Sequence, residues 1–286
     1  LNMYDDLKII ISSISIFSNL IAIIYYLAKK IKQEDSELEI DFLLYISLTC
    51  LLDSTSHIIY LGTDSNNIFC TLQAFFLIWF RLTLQVLITL VSIHVYIELT
   101  RENKLTNRKI KLYRILYLTI AIIPSLIFSI YGYINGYYGS TRYWCWITYD
   151  SGSFYRFIIY SFSYVILITN LIFAILAKRA AKRKPPEQIN YDLSYYNQYI
   201  CYPALMMIFY TFTTVNAILK THGFGESEVL ELSILIVETS QGFWYLVIGL
   251  LCSRLPNELY NCFYNLFERH RTQSRDSEGI YTIVEM

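Results

Sequence analysis

Seven long apolar runs constrain the fold of this chain more than any other feature. The chain has 286 residues, of which 55% are hydrophobic and 16% are charged, and the charges cluster in short blocks between the runs. A soluble domain carries about 25% charged residues, and a helix needs roughly 20 apolar residues to cross a bilayer. We therefore predict an all-α membrane protein built as a seven-transmembrane helix bundle. The predicted spans are Ile9–Ala28, Phe42–Leu61, Phe69–Ile97, Leu112–Ile134, Phe154–Ala177, Tyr199–Leu219 and Leu230–Leu251.

Lysine and arginine are unevenly divided between the two sets of connecting segments. With the N-terminus outside, 18 of them fall in cytosolic segments and 4 in external ones. Cytosolic loops carry the excess of basic residues, so this division predicts a multi-pass membrane protein with its N-terminus outside and its C-terminus in the cytosol. Its predicted regions are a short extracellular N-terminus (1–8), the transmembrane domain (9–252), an amphipathic juxtamembrane helix (253–268) and a disordered cytosolic tail (269–286).

Two of the six cysteines fall on the predicted external side. Cys70 begins the third span, and Cys145 lies in the loop between the fourth and fifth spans. Because disulfides persist in oxidising compartments, we predict a Cys70–Cys145 bridge that holds this loop over the mouth of the bundle. The alternative is a pair of free external thiols, and the sequence leaves it open.

Three charged residues are predicted to lie inside the membrane at similar depth. These are Asp53 in the second span, Arg81 in the third and Glu238 in the seventh. A charge at the centre of a membrane helix costs roughly 2.5–3.5 kcal/mol, so such a residue is a functional candidate. We predict that Arg81 pairs with Glu238 or Asp53, and that His57, one turn from Asp53, joins them. The cluster is interpreted either as purely structural or as the floor of a ligand pocket whose pairing changes on activation.

Cationic and aromatic residues are predicted to surround the outer mouth of the bundle. Arginine forks bind phosphate and aromatic rings stack on bases, so they would suit an anionic, planar ligand such as a cyclic nucleotide. Tryptophan at a membrane interface also occurs without any ligand, which is the simpler interpretation of each residue taken singly. The candidates at the mouth are Arg142, Trp144, Trp146, Arg156 and Lys220.

Two local segments carry a family resemblance. Tyr143-Trp144-Cys145-Trp146-Ile147, followed by Tyr155-Arg156-Phe157, resembles the second external loop and fifth-helix entry of the cyclic-AMP receptor family of social amoebae. The motif Ser240-Gln241-Gly242-Phe243-Trp244 resembles the seventh helix of that family, and its Gln-Gly-Phe also occurs in secretin and adhesion receptors. Weaker matches along the bundle are Ser92-Ile93, Pro124 and Val215-Asn216.

Several departures narrow the class of receptor. The third span ends with His94-Val95-Tyr96 where a rhodopsin-class receptor has Asp-Arg-Tyr or Glu-Arg-Tyr, and Gly249–Leu255 contains no Asn-Pro-x-x-Tyr. In the sequence as given, about eight residues precede the first span, whereas secretin receptors hold their hormone with a large outer domain. The cyclic-AMP-receptor-like group is therefore the best match.

The resemblance implies a cell-surface G-protein-coupled receptor that binds an extracellular small molecule and activates a heterotrimeric G protein. It implies no enzymatic activity, cofactor or metal, and it makes an arrestin-like regulator a further candidate partner. By analogy, basic residues at the cytosolic ends of the helices would face the G protein, although they would bind anionic lipid in any case. These residues are Arg101, Lys104, Arg108, Lys178, Arg179, Lys182 and Arg183.

The alternative function is a seven-helix transporter or channel without G-protein coupling. A transporter would be expected to show repeated halves and broken helices, and a channel would need a filter segment. Neither feature is evident in the sequence. A nucleic-acid polymer is not an expected partner, because the net charge of the chain is zero.

Overall fold

The chain is almost entirely helical in the part that the structure describes. The computed structural model describes residues 3–32, 38–59, 68–100, 107–140, 144–148, 152–183, 205–206, 208–211, 215 and 228–252. Residues 205–206, 208–211 and 215, in the predicted sixth span, are helical. The predicted juxtamembrane helix (253–268) and tail (269–286) lie outside the described residues. The elements are α1 (Met3–Lys32), α2 (Leu38–Ser56), α3 (Ile68–Thr100), α4 (Asn107–Ile134), β1 (Tyr138–Ser140), β2 (Cys145–Ile147), α5 (Ser153–Arg183), α6 (Glu228–Thr239) and α7 (Gln241–Cys252).

Helix α3 lies at the centre of the bundle. It packs against α2, α4, α5 and both strands, while α1 packs against α2, α6 and α7. Within its apolar stretch 72% of the residues are buried, compared with 28% to 33% in α1, α4 and α5. The outer helices therefore expose large apolar side chains, which a lipid environment would cover. Examples are Phe17, Ile24, Ile115, Ile127, Phe157 and Val165.

Four of the described helices are long and apolar enough to cross a bilayer, which indicates a membrane-embedded protein. Their apolar stretches are Asp5–Ile31, Ile68–Thr100, Lys109–Ile134 and Ser153–Ala181. They correspond to the first, third, fourth and fifth predicted spans. Helix α2 is not among these four, because its 19 residues include three acidic ones, Glu39, Asp41 and Asp53. Helices α6 and α7 contain 12 residues each, so neither would cross a membrane alone.

The predicted seventh span is divided at Ser240 into α6 and α7. Helical hydrogen bonding nevertheless continues through the division, since Ser240 N donates to Ile236 O (3.0 Å) and Trp244 N donates to Ser240 O (3.1 Å). The hydroxyl of Ser240 also donates to Val237 O (3.2 Å), and that of Thr239 donates to Leu235 O (2.6 Å). Such bonds from hydroxyls back to carbonyls bend helices, which accounts for the local irregularity.

Two helix boundaries differ from the prediction. The region 1–8 was expected to precede the first helix, but α1 begins at Met3, with Asp5 and Asp6 in its first turn, where carboxylates stabilise the helix dipole. Lys8, expected to be external, is buried. Helix α2 ends at Ser56 instead of continuing to residue 61, so Asp53 lies in its last turn and is closer to a helix end than predicted.

A short antiparallel hairpin covers one end of the bundle, called here the hairpin end. It follows a Gly136 turn at the end of α4, where Gly136 has φ of 65°. There Gly136 N donates to Tyr133 O (3.1 Å) and Tyr137 N to Gly132 O (3.0 Å), the bonding pattern of a Schellman cap. The Tyr138 hydroxyl then donates to Ser129 O (2.8 Å). Burial raises the pKa of the Tyr138 phenol, so the hydroxyl keeps the proton that anchors β1 to α4.

Helix α7 approaches α1 closely at Gly242, in the predicted helix-seven motif. A Cβ atom on Gly242 would lie 2.0 Å from Asn19 Nδ2 and 2.5 Å from Ser15 Oγ. The Asn19 amide donates to Ser15 O (2.9 Å), and Ser54 Oγ of α2 donates to Ser15 Oγ (3.0 Å). Small residues permit such close backbone contact between membrane helices. Gly242 is therefore a packing residue that brings α7 against α1.

Gly242→Ala is expected to lower the stability of the protein, because the added methyl group has no space. Overpacking a well-filled interior costs about 1–3 kcal/mol. The effect is measured as the melting temperature in detergent, in the wild-type background and again in an Asn19→Ala background. The penalty should shrink in the second background, where the nearest obstructing atom is absent. Equal penalties in both backgrounds, or none in the first, would contradict this account of the contact.

Candidate functional site

The hairpin is attached to the central helix by a disulfide between Cys70 of α3 and Cys145 of β2. The predicted bridge is confirmed. Strand β2 pairs with β1 in the register Tyr138–Ile147, Gly139–Trp146 and Ser140–Cys145. Cys145, Trp146 and Ile147 are all buried in a cluster with residues of α3. The bridge therefore fixes the position of the Trp146 ring relative to α3.

Arg81 is the centre of a buried ionic cluster directly below this strand. Its Nη1 lies 2.8 Å from Glu238 Oε2, and its Nε lies 3.5 Å from Asp53 Oδ1. Its Nη2 lies 3.0 Å from His57 Nε2. The Trp146 ring covers the guanidinium, with the ring centroid 5.0 Å from Cζ. The structure thus brings together all four residues that were expected to meet, although α2 ends sooner than predicted.

The contact with Arg81 determines the protonation state of His57. A guanidinium has five donors and no acceptor, so the His57 nitrogen that it approaches must accept a hydrogen bond. His57 Nε2 therefore carries no proton, and the ring is neutral with its proton on Nδ1. Consistent with this, His57 Nε2 is 3.9 Å from Asp53 Oδ2, which is too far for a hydrogen bond.

Gln73 is a site-organising residue that the sequence analysis missed. Its Nε2 lies 3.1 Å from Ser56 O and 3.0 Å from His57 O, and it donates to these carbonyls at the end of α2. Its Oε1 accepts from the backbone N–H of Cys145 (3.0 Å). Carbonyl groups at a helix end need such partners when buried, so Gln73 contributes to ending α2 at Ser56. Its position one turn after Cys70 is the only sequence signal that could have identified it.

A small cavity of about 20 Å³, room for roughly one water molecule, lies beside the cluster. Helices α3 and α5 form two of its walls, β2 contributes Trp146, and α6 contributes Glu238. Tyr210, from the helical residues of the predicted sixth span, closes a further side. The full lining is Ile78, Arg81, Leu82, Trp146, Ile159, Tyr160, Ser163, Tyr210 and Glu238.

Of the predicted mouth residues that the structure describes, Trp146 lines the cavity, and Trp144 and Arg156 do not. Trp146 lines the cavity, whereas Trp144 is half-buried and packs against the cluster at the hairpin end. Arg156 is buried and donates to Ile147 O of β2, so it supports the hairpin and does not line the cavity described here. Arg142 and Lys220 lie outside the described residues. The expected ring of cations around the mouth is therefore not seen in the part that is described.

The rest of the predicted helix-seven motif surrounds Gly242. Gln241 is buried, Phe243 is half-buried, and Trp244 exposes 41% of its surface. None of these residues is among those lining the described cavity. The motif therefore serves helix packing in this structure.

The end of the bundle opposite the hairpin carries the predicted basic face. On α5, Lys178, Arg179 and Arg183 are exposed. Arg108 and Lys182 lie in helices, but their side chains are outside the described set. Arg101 and Lys104 lie outside the described residues altogether.

A second buried ionic group at that end was not predicted. Asp41 of α2 is buried and pairs with Lys30 of α1 and with Arg114 of α4. Its position directly before the apolar run that begins at Phe42 gives no sequence signal that it is buried. These ion pairs connect α1, α2 and α4 at the end of the bundle opposite the hairpin.

Comparison with known proteins leaves the family open. Neither a scan against protein-family models nor a search of curated proteins found a match for the chain. The function must therefore rest on the geometry of the site.

Replacing Gln73 with leucine is expected to destabilise the hairpin end. The change removes this partner from the Cys145 N–H and from the His57 carbonyl, at about 1–3 kcal/mol for each group left unsatisfied, while Ser56 O keeps its bond from Ile59 N. The melting temperature in detergent, with the disulfide intact, should fall by several degrees. Thr55→Val is the control, since its hydroxyl bonds to Leu51 O on an exposed part of the same helix. A Gln73→Leu protein as stable as this control would show that the three bonds contribute nothing.

Proposed function

We propose that this protein is a seven-helix receptor of the plasma membrane that binds a small extracellular ligand and activates a heterotrimeric G protein. In this proposal the hairpin end is outside and the basic end of α5 is in the cytosol. The orientation follows the distribution of Lys and Arg along the chain. The ligand site is the cavity beside Arg81.

The observation that carries the proposal is the position of this cavity. It lies under a hairpin held by a disulfide, and a buried ion pair forms part of its wall. A buried, ion-paired group beside an apolar pocket is costly to maintain, and such groups inside membrane proteins commonly mark functional sites.

Seven spans are supported by the continuity of the chain outside the four long apolar helices. Helices α6 and α7 together cover Glu228 to Cys252, with helical hydrogen bonds crossing their junction, which is a sufficient length for a span. Helix α2 packs between α1 and α3, so its acidic residues can be shielded by neighbours. The described helical residues from 205 to 215 supply part of the remaining span.

The residues that line the cavity also support a signalling role in this proposal. Ile159 and Ser163 of α5 line it together with Tyr210, so a bound ligand would contact both segments. Lys178 is 15 residues beyond Ser163 on the same helix, about 22 Å further along it at the usual rise. A ligand that prefers one arrangement of these segments would therefore shift the population of states at the basic end.

Reversing the charges of the basic face should impair coupling to the G protein. In the triple variant Lys178→Glu, Arg179→Glu, Arg183→Glu, up to three exposed ion pairs with the G protein would be lost. Each is worth about 0.2–1 kcal/mol, so activation of the G protein should fall about tenfold. The measurement is receptor-catalysed nucleotide exchange on a panel of purified heterotrimers, with the receptor in nanodiscs.

Lys109→Glu, Lys111→Glu on α4 is the matched control, because both lysines are exposed. If the basic residues of α5 serve only to bind anionic lipid, the α5 variant and the α4 control should lose the same share of G-protein activation. A wild-type protein that activates no heterotrimer but carries ions or solutes into liposomes would replace the receptor with the transporter or channel alternative.

A further inference from the structure

Two histidines in the described part of the bundle are buried, and they lie beside groups of opposite charge. At the hairpin end, His57 Nε2 lies 3.0 Å from Arg81 Nη2. At the opposite end, His94 Nε2 lies 3.4 Å from Glu98 Oε1. A protonated imidazole can donate to a carboxylate but not to a guanidinium, which has no acceptor. The contact at His57 therefore needs a neutral ring, whereas the contact at His94 is compatible with a protonated one.

Proton uptake by His57 is incompatible with the contact that the ring makes. It would turn the accepting Nε2 into a donor and place two cations side by side in a buried site, where like charges repel strongly. The charged groups that face the ring are Arg81 of α3, Asp53 of α2 and Lys8 of α1. Asp53, the carboxylate among these three, is itself paired with Arg81 and lies too far from the ring for a hydrogen bond. The contact with Arg81 alone is enough to exclude the proton.

The other ring nitrogen of His57 is not satisfied in this arrangement. Nδ1 is buried and has no hydrogen-bond partner among the residues that the structure describes. The tautomer that Arg81 requires puts a proton on Nδ1, so a buried donor is left without an acceptor, which is unfavourable. If the ring left Arg81 and met water, it could take up a proton and donate from both nitrogens. The present arrangement therefore competes with one that acid would favour.

His57 follows the last residue of α2, where little regular structure has to be broken to release it. Its N–H donates to Asp53 O (3.3 Å), and its carbonyl accepts from Gln73 Nε2 (3.0 Å). Helix ends open at a lower free energy than helix centres. The same Gln73 side chain accepts from the Cys145 N–H of β2. Release of His57 would therefore remove one of the bonds that hold Gln73 in place under this strand.

We propose that His57 makes the hairpin end an acid-sensitive switch, in which proton uptake releases the end of α2 from Arg81 and opens the space under β2. This inference goes beyond the proposed function, since it concerns protons and not the ligand of a receptor. The cavity beside Arg81 has room for roughly one water molecule, so the structure represents the closed arrangement.

The direction of the acid effect follows from which arrangement can bind the proton. The closed arrangement requires a neutral His57, whereas in the open one the ring is hydrated and titrates near the ordinary histidine pKa of about 6.5. The closed arrangement therefore keeps its full advantage above that pH and loses it as the pH falls. Each pH unit below about 6.5 lowers the ratio of closed to open protein by up to about tenfold.

Reduction of the Cys70–Cys145 disulfide reports how often the hairpin end opens, because both cysteines are buried. The purified protein in detergent is treated with tris(2-carboxyethyl)phosphine at pH 7.5 and at pH 5.5. Each wild-type rate is divided by the rate of His57→Gln at the same pH, which cancels the pH dependence of the reductant. Glutamine can accept from Arg81 but does not titrate. The ratio should rise about tenfold between the two pH values.

Two further variants assign the effect to His57. His94→Gln is the matched control, because it removes a buried histidine at the opposite end of the bundle, and it should respond to acid as the wild type does. Asp53→Asn removes the titratable carboxyl group nearest to His57 and should also keep the response. A ratio that does not change with pH, or a response that is lost in either of these two variants, would overturn the proposal.

A second measurement covers the case in which His57→Gln does not fold. The nitrogen NMR spectrum of histidine-labelled wild-type protein at pH 6 should show one ring that stays neutral with its proton on Nδ1, and full protonation of every ring would overturn the proposal. Neither assay uses a ligand or a G protein. A failed switch therefore leaves the receptor proposal standing, and a protein that activates no heterotrimer can still show the acid response.

Discussion

The burial of the Arg81 guanidinium is the constraint on which the arrangement of this bundle depends. A buried charge costs several kcal/mol unless partners compensate for it. Its partners come from two other helices, Asp53 and His57 from the end of α2 and Glu238 from α6, while Trp146 of the hairpin covers it. Moving α2 or α6 would leave a buried carboxylate without its guanidinium partner, so the ionic cluster fixes the positions of these helices relative to α3.

The hairpin end is organised around two residues one turn apart on α3. Cys70 holds β2 covalently, and Gln73 bonds both to the Cys145 N–H and to the last carbonyls of α2. Together they set where α2 stops and how far Trp146 extends over Arg81. The cavity is the space left between this assembly, α5 and Tyr210. Its shape and its charge therefore follow from the same few contacts.

The sequence predicted features that depend on composition and local spacing. Four spans, the disulfide and the meeting of Arg81 with Glu238 follow from apolar length, compartment and the cost of intramembrane charge. It could not predict features set by contacts between distant segments. The hydrogen bond from Gln73 to Ser56 O and the one from Arg156 to Ile147 O depend on where the hairpin packs against the helices.

The most direct test of this account is a double-mutant cycle between Arg81 and Glu238, using Arg81→Gln, Glu238→Gln and the double variant. The stability of each protein is measured by unfolding in the same detergent. If the buried pair organises the bundle, the double variant will be more stable than Arg81→Gln alone, because it leaves one fewer unpaired carboxylate, and the coupling energy will be about 1.5 kcal/mol or more. Effects that add to within about 0.5 kcal/mol would contradict the central role given to the pair.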